Sequence, residues 1–264
     1  MDDMENEKSK IKELERTLDN FYIFLNNVRE ETISNLDHKE ALHFIDFHAN
    51  NWFDIQNWVS SKYSREELKF VHFQFFRLFK EIYWLQFLFV YGNYPTIYRN
   101  LRYILEMICQ AYFVDSKCPD LTLDEQIANS EQILIIIQEG KERRIFGWRL
   151  VKQVLSEVLK KDGEFIDLTF LPLWNHLNEY SHPSTVILEK VAIEDFSSLI
   201  TDSFNEYLAK EVLKTSYEVF DIVNMIVVKK FSRINELCLN YEFLNEWEET
   251  FPYTMSLIKG MKIA

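Results

Sequence analysis

Two short stretches concentrate the polar chemistry of this chain. YRNLRYILE carries Arg99, Arg102 and Glu106, and LWNHLNEYSHPS, from Leu173 to Ser184, carries Asn175, His176, Asn178 and His182. In a helix, offsets of three and seven put Arg99, Arg102 and Glu106 on one face. A guanidinium held beside a cavity and oriented by Glu106 is available to an anion. If Pro172 opens the second helix, Leu173, Leu177 and Tyr180 form an apolar stripe, with Asn175, Asn178 and His182 almost opposite. His182 precedes Pro183, which disfavours helical geometry, so the helix ends there. A histidine at a helix C-terminus is favoured as the cation, which suits a proton donor or a phosphate contact. His176 points elsewhere, so the segment holds one candidate histidine, not two.

Both sets also have a structural reading. Arg102 and Glu106 form an i,i+4 pair in the less favourable order, worth a few tenths of a kcal/mol when exposed. An amphipathic helix needs a polar face, and Asn175, Asn178 and His182 serve as one, with His182 bonding the last carbonyls. Trp174 and Tyr180 flank that face, and an HPS turn leads on to apolar Val186, Ile187 and Leu188.

The elements that must position these residues read as helices. The 264 residues are 47% hydrophobic and 16% aromatic, with only five Gly and five Pro. That load of buriable area with so little punctuation predicts an all-α fold, a multi-helix bundle. Glu5 to about Ser34 reads as one long helix with a short heptad-like seam of Ile11, Leu14, Leu18, Phe21, Leu25 and Val28, a packing device within the chain or between copies. Arg65–Tyr91 is an aromatic helix, apolar on nearly all sides and expected to be central; its charged residues rule out a membrane span. GNYP ends it, with Pro95 opening the helix Thr96–Asp115. Thr122 and Glu125 have capping-box spacing and open a helix through Gln138. Lys141–Lys161 makes another, closed by Gly163. A long helical pattern runs from Glu194 to about Leu239, and VILEKVAI, from Val186 to Ile193, is the one plausible strand. No repeat or linker stands out, so residues 1–264 read as one domain, with a long N-terminal helix (1–35) and a helical core (95–235).

Other classes of function fit less well. A net charge of −13 lacks the general basic field of non-specific nucleic-acid binding, though a local basic patch is compatible with it. Cys109, Cys118 and Cys238 are scattered and read as free thiols of a reducing, cytoplasmic compartment. The charged N-terminus has no apolar signal core. His38, His43 and His48, spaced by five, diverge around a helix and make a poor metal cluster. Walker A, GxGxxG, HExxH and GxSxG patterns are absent, so no cofactor or metal is expected.

RNLRYILE followed by a helix ending in LNEYSHPS resembles HEPN-type domains, over the helices from Thr96 to the long C-terminal one. The resemblance implies metal-independent RNA cleavage in a defence or toxin role, with two protomers bringing their motifs together as a homodimer. It implies that His182 handles a proton and that His176 is the polar position beside the motif arginine. The arginine position itself holds Asn175, whose neutral amide cannot stabilise a developing phosphorane. The charge must then come from Arg99 or Arg102 on a neighbouring helix; otherwise the chain is a non-catalytic, self-associating interaction subunit in which the same residues form a structural polar network.

Overall fold

The computed structural model describes residues 2–35, 53, 55–64, 67–138, 141–181, 206–230 and 247–262. The elements are α1 (Asp2–Asn35), α2 (residues 55–62), α3 (Phe70–Val90), α4 (Tyr94–Lys117), α5 (Leu123–Ile133), β1 (Ile135–Gln138), β2 (Lys141–Arg144), α6 (Gly147–Leu159), α7 (Gly163–Ser181), α8 (Glu206–Lys229), α9 (Trp247–Thr250) and α10 (Pro252–Lys262). The fold is an all-α multi-helix bundle with one two-stranded hairpin. His38, His43, His48, Cys238, the segment Val186–Ile193 and His182 lie outside the described residues.

The bundle is organised by a helical hairpin. α3 and α4 pack along each other, joined by a tight turn in which Gly92 takes the left-handed φ of 70° that a side chain would oppose. The side-chain oxygen of Asn93 accepts from the Thr96 amide at 3.4 Å, and Pro95 occupies the first turn of α4, where a missing N–H costs nothing. α4 then packs against α5, α6, α7 and α8 as well as α3. The helix surrounded on most sides is therefore α4, and the aromatic helix α3 is its flanking partner. Phe73, Tyr83, Trp84 and Phe87 explain the difference: all four are exposed on the outer side of α3.

Buried side chains of α2 to α10 form one apolar cluster, with Phe75, Tyr94, Tyr98, Phe113, Phe220, Trp247 and Phe251 among its largest members. The run Asp221–Val228 in α8 is buried on every side, as expected of a helix end enclosed by neighbours. α1 docks on α3, with Val28 buried, Leu25 half-buried and Leu18 exposed. Among the described residues, no helix is long and apolar enough to cross a membrane.

Three boundaries differ from the sequence expectation. The capping box of Thr122 and Glu125 does open α5, with the Thr122 amide donating to Glu125 Oε2 at 2.9 Å, but the helix stops at Ile133 instead of Gln138. Ile135–Gln138 instead pairs antiparallel with Lys141–Arg144, Ile135 opposite Arg144, and the expected helix from Lys141 starts at Gly147. Three consecutive β-branched isoleucines favour the extended chain. The left-handed residue closing α6 is Lys160, with φ 54°, not Gly163, which is instead the first residue of α7.

A fourth difference bears on the site. α7 does not open at Pro172 but at Gly163, where Asp162 Oδ1 accepts from the Phe165 amide at 2.8 Å. Pro172 lies inside the helix on its exposed side. The carbonyl that loses its helical partner belongs to Leu168, which is 75% exposed and so open to water.

Candidate functional site

The antiparallel packing of α4 on α7 sets the positions of both arginines. Arg99 Nε donates to the carbonyl oxygen of Tyr180 at 3.0 Å. Tyr180 lies in the last turn of α7, where carbonyls have no helical partner, so the guanidinium caps the negative end of that helix. Arg99 is exposed, and neither Nη atom has a partner among the described residues. His182 follows Tyr180 by two positions in the chain, outside the described residues.

Arg102 goes to the other end of the contact. Its guanidinium carbon lies 5.1 Å from the ring centroid of Trp174, and Nη2 is 3.7 Å from Glu106 Oε1, a loose ion pair with both side chains 22% exposed. Its Nε is buried with no partner among the described residues. Glu106 also faces Gly147 at the start of α6: a Cβ there would lie 3.9 Å from Glu106 Oε1 and 3.9 Å from the Trp174 ring. Gly147 holds a φ of 59°, so this close, left-handed entry to α6 is one that glycine adopts without strain. Burial, and then the Glu106 charge, push the Cys109 thiol well above its ordinary pKa. A second polar chain continues from Trp174: its ring lies 6.1 Å from that of Trp148, whose Nε1 donates to Asp167 Oδ1 at 3.0 Å, and Lys152 pairs with the other oxygen of Asp167.

The asparagines behave differently from the arginines. Asn175 is exposed and Asn178 half-buried, and neither side chain has a hydrogen-bond partner among the described residues. The apolar stripe opposite them is as the sequence predicts, Leu177 and Tyr180 being buried. Thus Arg99 and Arg102 both come to the α4–α7 contact, Arg99 meeting α7 at Tyr180 and Arg102 at Trp174, six positions apart, while Glu106 stands beside Arg102 and faces the start of α6.

No family model, curated protein or solved structure matches the chain.

Two features of the site escape the sequence patterns. His176 stands edge-on to the rings of Tyr98 and Tyr180, at 5.1 and 5.5 Å, while those two tyrosines stack at 4.0 Å. Its buried Nε2 has no partner among the described residues. Burial, then the neighbouring Tyr180 and Glu211, raise the Tyr98 hydroxyl far above its ordinary pKa, so it stays protonated. The spacing of four between His176 and Tyr180 was a signal for this contact; the α4 partner, Tyr98, was not legible.

The other feature is a polar centre at the far end of α4. Asp115 is buried, and its two oxygens accept from the amides of Phe70 and Val71 at 2.9 Å each, capping α3. Lys230 Nζ donates to Ser116 Oγ at 2.9 Å and lies 4.1 Å from the Tyr112 ring, and Tyr112 donates to Glu157 at 3.3 Å. Burial lowers the Lys230 pKa and, despite the two amides, raises that of Asp115. These residues are scattered from 70 to 230, so no local motif announces them. They brace four helices and leave the arginine-bearing half of the bundle as the candidate site.

Proposed function

We propose that the chain is a HEPN-like helical protein acting on RNA, a metal-independent endoribonuclease of the defence or toxin type. Arg99 is the phosphate contact and His182 the acid/base. The observation that carries this reading is the Arg99–Tyr180 bond. It uses only Nε, fixes the guanidinium at the end of α7 from which the chain continues into Ser181 and His182, and leaves both Nη donors for a phosphate. Arg99 thus supplies the charge that Asn175 cannot. Arg102, shared between Trp174 and Glu106, is a positioning residue for the α4–α7 contact.

In this reaction His182 accepts the proton of the attacking 2′-hydroxyl, or delivers one to the departing 5′-oxygen. Arg99 stabilises the charge that builds on the phosphorane. The products are a 2′,3′-cyclic phosphate and a free 5′-hydroxyl. A second copy of the chain, as a homodimer, supplies the complementary proton carrier. Incubating the purified protein with labelled single-stranded RNA in chelator tests this: cleavage is expected, and His182→Ala should abolish it with unchanged circular dichroism. RNA left intact by the wild-type dimer sinks the reading.

The second reading, a non-catalytic interaction subunit, is favoured by one observation. Trp84 and Phe87 stack at 5.2 Å on the exposed side of α3, next to exposed Tyr83. Surface aromatics of this kind anchor protein partners. In that case Trp84→Ala abolishes partner binding and His182→Ala leaves it intact.

A further inference from the structure

A cleft of about 210 Å³ opens where α3, α4 and α5 meet, on the same stripe of α4 that carries Arg99. Arg99, Tyr103, Glu106 and Gln110 follow at spacings of four, three and four, so they line one side of that helix. The volume lies below the roughly 300 Å³ at which drug-sized pockets begin, so the occupant is a single ring system.

The lining defines the ring. Phe70 and Met107 give an apolar floor, and Tyr103 stands half-exposed at the rim as a stacking surface. Gln74 is only 8% exposed, and its side-chain oxygen accepts from Arg77 Nη1 at 3.2 Å. Its amide nitrogen has no partner among the described residues, and neither end of the Gln110 amide has one. Glu106 is shared between Arg102 at 3.7 Å and the cleft, with lone pairs to spare. Of the charged lining, Arg77 is bonded to Gln74 and Glu131 is paired with Arg144 at 2.8 Å, so an apolar floor, a stacking phenol, unused amides and the Glu106 carboxylate match a planar heterocycle with hydrogen-bonding edges. Unstacked RNA bases are recognised in this way.

We infer that this cleft is a base-binding subsite for single-stranded RNA and that it takes guanine. Guanine offers two adjacent N–H donors on one edge, which a carboxylate accepts together; adenine, cytosine and uracil do not. The Glu106 carboxylate reads that edge, the Gln74 and Gln110 amides meet the remaining ring atoms, and Tyr103 covers the face. The inference rests on the RNA-directed reading above and deepens it. A strand lying along α4 presents its scissile phosphate at Arg99 and a neighbouring base to the cleft.

The test is calorimetric titration of the full-length protein with guanosine, inosine, adenosine, cytidine and uridine, none of which carries a phosphate. Guanosine should bind more tightly than adenosine, cytidine or uridine by roughly 5- to 150-fold, the discrimination that a bidentate edge contact carries. Inosine, lacking the exocyclic amino donor, should fall between. Glu106→Gln should erase the preference, and Gln110→Leu, at a residue with no hydrogen-bond partner to lose, should weaken guanosine binding severalfold with the fold intact. Equal affinities for all five, or guanosine binding untouched by Gln110→Leu, overturns the inference. Its failure is distinct from that of the parent reading: RNA cleaved in a His182-dependent way without base preference removes the subsite alone. Selective guanosine binding with RNA left intact keeps the subsite and removes the nuclease.

Discussion

The guanidinium of Arg102 lies 5.1 Å from the ring centroid of Trp174, while Arg99, one turn earlier on α4, reaches the carbonyl of Tyr180. Two arginines three residues apart therefore have separable duties. Arg102→Ala should destabilise the fold by about 1–2 kcal/mol, from the lost cation–π contact and the unpaired Glu106. Arg99→Ala removes an exposed cap worth about 0.3–1 kcal/mol and, under the proposed function, abolishes RNA cleavage. Urea unfolding together with a cleavage assay on both variants checks the split; equal loss of stability in the two would refute it.

Buried aspartates cap helices at two distant places. Asp115 accepts from Phe70 and Val71, and Asp221 accepts from the amides of Tyr253 and Thr254 at 2.9 and 2.8 Å and from the Thr254 hydroxyl at 2.7 Å. Asp115→Ala strands two buried amides at about 1–3 kcal/mol each. Asp221→Ala should loosen α10 on α8 by a similar amount, visible as faster amide exchange confined to Tyr253 and Thr254 before global unfolding. Burial raises both native pKa values. Proton binding at these two groups therefore adds an increment of stability that is fully present below the ordinary aspartate pKa and is lost as pH rises through the native value, while the cap bonds themselves remain.

His72 works in the opposite sense. It is buried, its Nδ1 accepts from the Lys69 amide at 3.0 Å, and burial, reinforced by Lys230 and Lys69, lowers its pKa from 6.5 to about 4. A base depressed in the folded state contributes stability above pH 6.5 that is lost as pH falls towards 4. The shift corresponds to about 3 kcal/mol at most. His72→Gln keeps an acceptor for Lys69 and cannot titrate, so chemical denaturation between pH 7 and 4 should show a flatter profile for the variant.

Two backbone positions give a matched pair. Gly147 and Lys160, at the two ends of α6, have φ values of 59° and 54°. Gly147→Ala should cost about 1–2 kcal/mol, and Lys160→Gly should recover part of the same penalty. Opposite shifts in Tm are expected; shifts of the same sign would contradict the assigned backbone strain.

Local signals carried much of this fold. The Pro95 turn, the Thr122–Glu125 box and the apolar stripe through Leu177 and Tyr180 each depend on residues within a turn or two, and each is present. What local patterns missed was decided at a distance. Pro172 stays inside α7 because its orphaned carbonyl faces water, a matter of exposure rather than spacing. The Asp115 cap joins residues 45 positions apart. At the site, the pairing of Arg102 with Glu106 follows from their spacing, whereas the choice of Tyr180 by Arg99 and of Trp174 by Arg102 depends on how α4 crosses α7. Asn175 and Asn178 share a polar face as expected, yet share no partner with the arginines among the described residues.

The α3–α4 hairpin is fastened at both ends by its own residues, by the turn at Gly92 and by the Asp115 carboxylate over Phe70 and Val71. The two helices follow each other in the chain across a short turn, so little loop entropy opposes their pairing even though the Asp115 cap spans 45 positions. Assembly then has a direction: the hairpin condenses first as a template, and α6, α7 and α8 settle onto the face of α4 that already holds Arg99 and Arg102. Pulse-labelled exchange should find the Phe70 and Val71 amides protected before those of α7, and the reverse order would exclude this sequence of events.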